Sequence, residues 1–298
     1  MAIIKLHKKD NMKMTSADRT LKVAIQGVAG CFHDAAAHAY FADREIEIAE
    51  YDTFPAMFDA LAADASMVAV MAIENTIAGS LLANHELLRK SNMRVVGEYR
   101  MPISHVLCAL PGQSVADITE VHSHPMALMQ CEAFLRGLHD TRMIEDYDTA
   151  GSARDIANQQ ISGRAAVCGE YAARLYGLEV LQPGIETNKR NFTRFLVLAD
   201  PLTAGELMPP EQQLDKSSIV FTLPHSKGAL SKILTILTFY DLNLTKIQST
   251  PVIGREWEYR FYVDLTFDSL LRYHQAIDAV RPLMNEFQPL GLYKETEL

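Results

Sequence analysis

Apolar and polar positions in the first part of the chain follow a strand, turn, helix, strand pattern. The short apolar run 21–25 stops at Gly27 and Gly30, and small apolar residues then recur at helical spacing. The amphipathic stretch 54–61 predicts a further helix, and the uninterrupted apolar run 68–73 predicts a buried strand. Alternation of strands with helices is typical of a mainly parallel sheet.

A second series of the same kind occupies residues 103–198. It predicts strands at 103–110, 118–121, 143–146, 165–168 and 195–198, with helices after the second, third and fourth of them. One helix begins at Pro125, where the missing N–H group costs nothing. Another ends at Gly177, which is typical of a helix C-cap. The two series predict two α/β lobes.

The composition of the chain changes after residue 200. Residues 201–216 are rich in proline and polar residues, which is typical of a linker. From residue 217 the pattern predicts strands at 219–223, 244–249, 258–266 and near Leu292, with helices at 229–240 and 270–283. This βαββαβ order in so short a segment is that of a ferredoxin-like module.

Length, composition and charge limit the possible functions. A chain of 298 residues is expected to form two domains, or three if they are small. Hydrophobic residues at 48% and charged residues at 22% match ordinary globular proteins and exclude a disordered chain. The formal net charge of −9 argues against nucleic acid and membrane surfaces as partners, because both are polyanions that need a basic patch. The apolar runs are also shorter than the ~18 residues of a membrane span.

Two features bear on the cellular compartment. Residues 1–20 contain lysines but lack the apolar run of about 7–15 residues that a secretory signal requires. The cysteines are far apart and form no C-x-x-C pair; they are Cys31, Cys108, Cys131 and Cys168. This usage favours reduced, buried thiols over disulfides or zinc ligands. We therefore expect a cytoplasmic protein without disulfide bonds.

Small or hydroxyl residues recur where predicted strands lead into predicted helices. They occupy 27–31, 74–80, 123–125 and 149–152. Any one of these junctions is more often an ordinary helix N-cap than a binding site. In open α/β sheets, however, ligands bind beyond the carboxyl ends of strands, where helix N-termini favour negative charge. Recurrence in both lobes therefore predicts an anionic ligand held between the lobes.

The same junctions lack the motifs of common cofactor sites. The Gly27-x-x-Gly30 turn is not the full dinucleotide fingerprint, and no glycine turn is followed by Lys-Ser or Lys-Thr as in a P-loop. His122 and His124 have no third residue nearby in the sequence to complete a metal site. We expect neither a metal ion nor an organic cofactor.

Two short segments place polar side chains where burial makes them costly. Glu74 and Asn75 end an otherwise buried strand, and a carboxylate there loses hydration unless it is paired or used in a reaction. Thr193 and Arg194 begin a strand after the polar stretch 183–190. For Arg194, a surface ion pair explains the pattern as well as a functional role does.

The order of several motifs resembles that of the prephenate dehydratase family over residues 21–200. The most specific of them is Asn191-Phe192-Thr193-Arg194-Phe195. The other matching segments are Gly27-Val28-Ala29-Gly30-Cys31-Phe32, Ile73-Glu74-Asn75-Thr76, Gly79-Ser80, Ser123-His124-Pro125, Gln130-Cys131, Asp148-Thr149-Ala150-Gly151-Ser152-Ala153 and Leu175-Tyr176-Gly177. Residues 217–298 resemble the ACT regulatory domain that follows the catalytic domain in that family.

The resemblance implies an α/β chain with a two-lobed catalytic domain of the periplasmic-binding-protein type (type II) and an α+β ferredoxin-like ACT domain. The implied divisions are lobe 1 at about 21–100 and 190–200, lobe 2 at about 101–189, a linker at 201–216 and the ACT domain at 217–298. The implied reaction is loss of water and carbon dioxide from prephenate, giving phenylpyruvate for L-phenylalanine biosynthesis, without a cofactor.

The resemblance also assigns roles to particular residues. Thr193 would contact the departing hydroxyl, and Arg194 would bind a substrate carboxylate in two-point fashion. Glu74 would supply a proton if burial raises its pKa, or else orient its neighbours. The expected substrate-binding residues are Asn75, Ser80, Ser123, Gln130, Thr149, Ser152, Asn191 and Phe195. The chain departs from the family's usual residues at Cys31, His33 and Met126.

In the ACT-like segment, a glycine turn resembles the family's effector site. The expected effector-binding residues are Gly228, Ala229, Leu230 and Asn243, and the effector would be L-phenylalanine. The family's Glu-Ser-Arg-Pro motif is replaced by Gln248-Ser249-Thr250-Pro251. Because ACT units commonly pair side by side and exposed sheet edges favour pairing, we expect a homodimer or a homotetramer.

Two other functions fit the same residues. An arogenate dehydratase would act on a substrate that carries an amine in place of the keto group of prephenate. A two-lobed amino-acid or carboxylate sensor would close on its ligand without chemistry. No residue in the sequence distinguishes arogenate from prephenate as the substrate.

Overall fold

The computed structural model describes residues 20–296, whose strands form two sheets. The strands are β1 (Leu21–Gln26), β2 (Ile46–Tyr51), β3 (Val68–Asn75), β4 (Gly79–Ser80), β5 (Arg94–Pro102), β6 (Val106–Ala109), β7 (Glu120–Ser123), β8 (Arg142–Glu145), β9 (Arg164–Cys168), β10 (Glu179–Gln182), β11 (Phe192–Ala199), β12 (Lys216–Thr222), β13 (Asn243–Pro251), β14 (Tyr259–Thr266) and β15 (Glu286–Tyr293). The α-helices are α1 (Phe32–Tyr40), α2 (Phe54–Ala63), α3 (Leu82–Lys90), α4 (Pro125–Gln130), α5 (Glu132–Leu135), α6 (Thr149–Gln159), α7 (Glu170–Leu175), α8 (Ala204–Leu207), α9 (Ala229–Phe239) and α10 (Leu270–Val280). None of the helices in this range is long and apolar enough to cross a membrane.

The sheet of lobe 1 has the order β5-β11-β3-β1-β2. Strand β1 runs parallel to β2 and β3, whereas β11 runs antiparallel to β3 and β5. The prediction of a mainly parallel sheet is therefore wrong, because β11 enters the sheet on the chain's return from lobe 2. Lobe 2 has its own mixed sheet, with the order β10-β6-β9-β7-β8. Where the chain crosses between lobes, the Ile103 N–H donates to the Asn191 carbonyl at 2.8 Å.

The C-terminal segment has the predicted βαββαβ order. Its strands form the antiparallel order β13-β14-β12-β15, and β15 adds to the edge of lobe 1 beside β5. At this contact a Cβ on Gly291 would overlap the Val95 carbonyl, so only glycine permits the close approach. The sheet of the C-terminal segment and the sheet of lobe 1 thereby become one continuous sheet of ten strands.

The predicted linker at 201–216 is more structured than expected. It contains α8, and Ala204 in that helix is buried in the core that lobe 1 shares with lobe 2. The opposite face of the lobe 1 sheet packs on α2 and α3, and Tyr262 and Tyr293 from the C-terminal segment complete that core. The C-terminal module is therefore packed directly against the back of lobe 1.

Candidate active site

A cavity of about 310 Å³ lies between the two lobes. Lobe 1 contributes Gln26 at the end of β1, Asn75 at the end of β3 and Thr193 at the start of β11. Lobe 2 contributes Met126 and Thr149, which lie in the first turns of α4 and α6. This volume lies at the lower end of the ~300–1,000 Å³ range of small-molecule sites. We refer to this cavity as the cleft.

Asn75 fixes the position of the Thr193 hydroxyl in the cleft. Its Nδ2 group donates to Thr193 Oγ1 at 2.9 Å, to Asn191 Oδ1 at 2.7 Å and to the Phe192 carbonyl at 3.2 Å. Its Oδ1 accepts the backbone N–H groups two and three residues further on, both at 2.9 Å. This set of partners fixes the orientation of the amide. Thr193 Oγ1 accepts a hydrogen bond from Asn75, which leaves its own hydroxyl proton available to a ligand.

A short chain of hydrogen bonds connects this group to lobe 2. Asn191 is 1% exposed, and its Nδ2 group donates to Gln130 Oε1 at 3.0 Å. His105 Nε2 lies 3.1 Å from the same oxygen. Since the Gln130 oxygen is an acceptor, His105 Nε2 carries the proton in this arrangement. Thr193 is therefore positioned from both lobes.

Protein side chains already occupy several N–H groups at the strand-to-helix junctions. The Gly30 N–H donates to Asp34 Oδ2 at 2.7 Å. The Gly151 N–H in α6 donates to Asp148 Oδ1 at 2.8 Å. In the turn after β3, Asn75 accepts two further N–H groups. These junctions consequently leave fewer free donors for an anion than the sequence pattern predicts.

Burial favours the neutral forms of several titratable side chains in the cleft. It raises the pKa of Cys31 to about 12 and lowers the pKa of His33 to about 4. It also lowers the pKa of His105 and raises the pKa of Asp148. Phe195 lines the cleft and lies 5.2 Å from His33, ring centre to ring centre. The interior is thus poorly hydrated, which strengthens any electrostatic interaction made there.

Comparison with known families matches residues 23–202 to the model described as prephenate dehydratase. The match spans more than half of the 298 residues. The chain belongs to the prephenate dehydratase family.

Individual proteins agree with this membership. Arogenate dehydratase 5 of Arabidopsis thaliana is 37% identical over 295 residues, which cover 92% of this chain and 67% of the plant protein. A prephenate dehydratase from Arthrobacter aurescens, solved with L-Phe, is 26% identical with a TM-score of 0.79, covering 92% of this chain and 90% of that one. A structure described as a novel type of quorum-quenching acylase is 27% identical with a TM-score of 0.81, covering 92% and 98%.

Arg194, the expected carboxylate ligand, does not reach the cleft. Its guanidinium is 5% exposed and donates from Nε to Glu98 Oε2 at 2.6 Å. It also donates to Tyr293 at 2.8 Å and to Asp264, both in the C-terminal module. Side chains alternate along a strand, so Thr193 and Phe195 face the cleft and Arg194 faces the opposite side of the sheet. The structure therefore does not place Arg194 where the predicted binding of a substrate carboxylate in the cleft would require it.

Glu74 is drawn toward the same group of charges. One oxygen lies 3.5 Å from Arg194 Nη1, and the other pairs with Lys246 of the C-terminal module. Burial alone would raise the pKa of Glu74, but Arg194 and Lys246 outweigh it and lower the pKa overall. Glu74 therefore lacks the raised pKa that its predicted role as a proton donor requires. Its position fits the alternative that it orients its neighbours.

Three of the expected binding residues have hydroxyl groups that donate to other protein groups or lie away from the cleft. The buried Ser123 donates to the Val167 carbonyl at 2.6 Å. Ser152 donates to the Asp146 carboxylate at 2.9 Å. Ser80 lies in the short strand β4, where it pairs with Glu74 of β3, and it does not line the cleft. In contrast, the cleft is lined by Asn75, Gln130, Thr149, Thr193 and Phe195, and Asn191 supports it from behind.

Sequence reasoning missed several residues that line the cleft. They are Cys31, Phe32, His33, His105 and Asp148. The signal was present for Asp148, because an acidic residue directly before a helix in the 149–152 junction is both an N-cap and a side chain at a strand end. For His105 no local pattern exists, because only the folding of lobe 2 brings it beside Gln130.

The expected effector residues fall into two separate places in the C-terminal module. Gly228 has φ of +74° and caps the start of α9, next to Ala229 and Leu230. Asn243 begins β13, after the helix has ended. The 11 residues of α9 separate these places by ~16 Å. The four residues therefore do not form a single cluster within one chain.

Proposed function

We propose that this chain catalyses the loss of water and carbon dioxide from prephenate, giving phenylpyruvate for L-phenylalanine biosynthesis. The observation that carries the proposal is the Thr193 hydroxyl, which lines the cleft and accepts a hydrogen bond from Asn75 at 2.9 Å, so that it can donate its own proton to a ligand there. Membership of the prephenate dehydratase family supports the same activity.

The reaction requires few protein groups. Prephenate carries a ring carboxylate para to a hydroxyl group. When the bond to the carboxylate breaks, its electron pair moves through the ring, the ring becomes aromatic, and the C–O bond to the hydroxyl breaks. The hydroxyl leaves as water after gaining a proton. A threonine hydroxyl is too weak an acid to give up its proton outright, so Thr193 acts as a hydrogen-bond donor to the departing oxygen. The low hydration of the cleft destabilises the carboxylate that leaves.

Incubation of the purified chain with prephenate is expected to produce phenylpyruvate, measured by its absorbance in alkali. A protein-free sample serves as the control for nonenzymatic conversion, because prephenate also loses water and carbon dioxide in acid. A sensor with the same fold would bind prephenate without forming product. Product formation no faster than in a protein-free sample would contradict the proposed activity.

The described acylase activity of one structural neighbour is a second activity to consider. Covalent amide hydrolysis requires a nucleophile activated by a base. In this cleft, burial raises the pKa of Cys31 to about 12, so its thiol stays protonated. The Thr193 oxygen accepts an N–H group from Asn75 and has no basic partner among the described residues. The geometry therefore favours the dehydratase.

We also propose that residues 217–298 form an ACT domain that binds L-phenylalanine. Their ferredoxin-like strand order and the L-Phe complex of the Arthrobacter aurescens protein support this assignment. Strand β13 ends the ten-stranded sheet and leaves an edge open to pairing, which supports a homodimer or homotetramer. Cytoplasmic localisation remains a prediction from the sequence.

Saturating L-phenylalanine is expected to raise the midpoint of thermal unfolding by several degrees. A ligand at 100 times its Kd stabilises the folded state by about 2.7 kcal/mol. Thermal unfolding, activity and size-exclusion chromatography should be compared with and without L-phenylalanine, with L-leucine as the control. The effector proposal fails if L-phenylalanine changes none of the three.

A further inference from the structure

Asp148 places a carboxylate in the cleft, which is unusual for a site that would bind a dianion. Among the residues of 20–296 that line the cleft, it is the only carboxylate, and no Lys or Arg accompanies it. Arg194, the cation expected from the sequence, lies on the other face of the sheet. The cleft therefore contains a carboxylate where prephenate would bring two more.

The two oxygens of Asp148 are placed differently. Oδ1 caps α6 by accepting the Gly151 N–H at 2.8 Å. Oδ2 points across to lobe 1, where it would lie 3.5 Å from a Cβ on Gly27. A helix cap needs only one carboxylate oxygen. The second oxygen is thus directed at the region between the lobes where a ligand would lie.

The distance between Asp148 and Thr193 fits opposite ends of one substrate molecule. Gly27 follows β1, Thr193 begins β11, and β3 lies between these strands. Two strand spacings correspond to ~10 Å across the sheet, and the strand register places Gly27 level with Phe195, two residues (~7 Å) along β11 from Thr193, so Gly27 and Thr193 lie ~12 Å apart. Prephenate and arogenate both carry the ring hydroxyl para to the carbon that bears the three-carbon side chain. A substrate with its hydroxyl at Thr193 therefore extends this side chain toward Asp148.

We propose that Asp148 is a specificity-determining residue that binds the ammonium group of arogenate and so favours arogenate over prephenate. This inference rests on the proposed dehydratase function. An ammonium group donates a charge-assisted hydrogen bond to a carboxylate, whereas the keto oxygen of prephenate would meet it with like partial charge. Burial raises the pKa of Asp148, and a bound ammonium favours its ionised form.

The test compares kcat/KM for arogenate and prephenate in the wild-type chain and in Asp148→Asn. Asparagine is also a good N-cap and has nearly the same size, so the change removes the charge and keeps the helix start. We expect kcat/KM for arogenate to fall by about 10- to 100-fold. For prephenate it should change by less than about threefold or rise. Asp148→Ser, which also caps helices, should shift the ratio in the same direction.

Asp155→Asn is the matched control, because Asp155 lies on the same helix but does not line the cleft. Its ratio of the two kcat/KM values should equal that of the wild type. If the wild type converts neither substrate, the proposed function itself is wrong. If the wild type is active and Asp148→Asn leaves the ratio unchanged, or lowers both values equally, Asp148 is only a helix cap and the inference is overturned.

Discussion

Replacing Thr193 by valine is expected to lower kcat with prephenate by about 10²- to 10³-fold, the usual loss when a donor that stabilises developing negative charge is removed. Valine keeps the shape of threonine and removes only the hydroxyl. The folded state should persist, because Asn75 Nδ2 retains Asn191 Oδ1 at 2.7 Å and the Phe192 carbonyl at 3.2 Å as acceptors. Steady-state kinetics and thermal unfolding of the same preparation measure both effects.

Thr193→Ser is the matched control for this experiment. Serine keeps the hydroxyl that Asn75 orients and removes one methyl group, so its kcat should stay within about tenfold of the wild type. Near-normal turnover of Thr193→Val would show that the hydroxyl does not take part in the reaction. A large loss of thermal stability in Thr193→Val would instead show that the hydroxyl mainly supports the fold.

The sequence pattern predicted the elements of the chain well where it contained local information. The apolar run at 68–73, the proline at 125 and the glycine at 177 each correspond to an observed strand, helix start or helix end. Strand direction was predicted less well. The antiparallel course of β11 depends on how the chain returns from lobe 2, and periodicity within a segment contains no information on that path.

The candidate site was likewise predicted in part, where local information in the sequence was sufficient. Thr193, Asn75 and Gln130 were expected from the resemblance, and the structure brings them to the cleft. Arg194 was expected there because it follows Thr193 in the chain. Period-two alternation in a strand sends neighbouring side chains to opposite faces, so either Thr193 or Arg194 could face the cleft, but not both. That argument was available from the sequence and would have corrected the assignment.

What the sequence could not show is that the C-terminal module covers the back of lobe 1. Lys216 is buried and pairs with Glu98 Oε1 at 2.9 Å. Glu98 also accepts the Arg194 Nε–H at 2.6 Å, and Asp264 accepts the Ser218 hydroxyl. These contacts join strands far apart in the chain. The strand that carries Thr193 on one face is thus attached on its other face to the proposed regulatory module.

Replacing Arg194 by methionine is expected to destabilise the chain by about 3–5 kcal/mol, because it leaves buried carboxylates without their cation. The midpoint of the first thermal unfolding transition should fall by on the order of 5–10 °C. If Arg194 instead bound a substrate carboxylate, the same variant would raise KM and leave stability unchanged. Arg100→Met is the matched control, since Arg100 lies opposite Arg194 on β5 and makes only a partly exposed pair with Glu295 at 3.8 Å. Its effect should be below about 1 kcal/mol.

The pH dependence of this destabilisation identifies the carboxylates that Arg194 neutralises. Burial would raise the pKa of Asp264, but Arg194 and the Ser218 hydroxyl outweigh it and lower the pKa overall. In the wild type, Asp264 thus contributes stability above its unfolded pKa and loses it as pH falls. In Arg194→Met, burial raises the pKa of the same carboxyl, so protonation relieves part of the cost. The stability difference between the two proteins should shrink as pH falls from neutral toward about 5. A difference independent of pH would show that the loss comes from packing and not from unpaired charge.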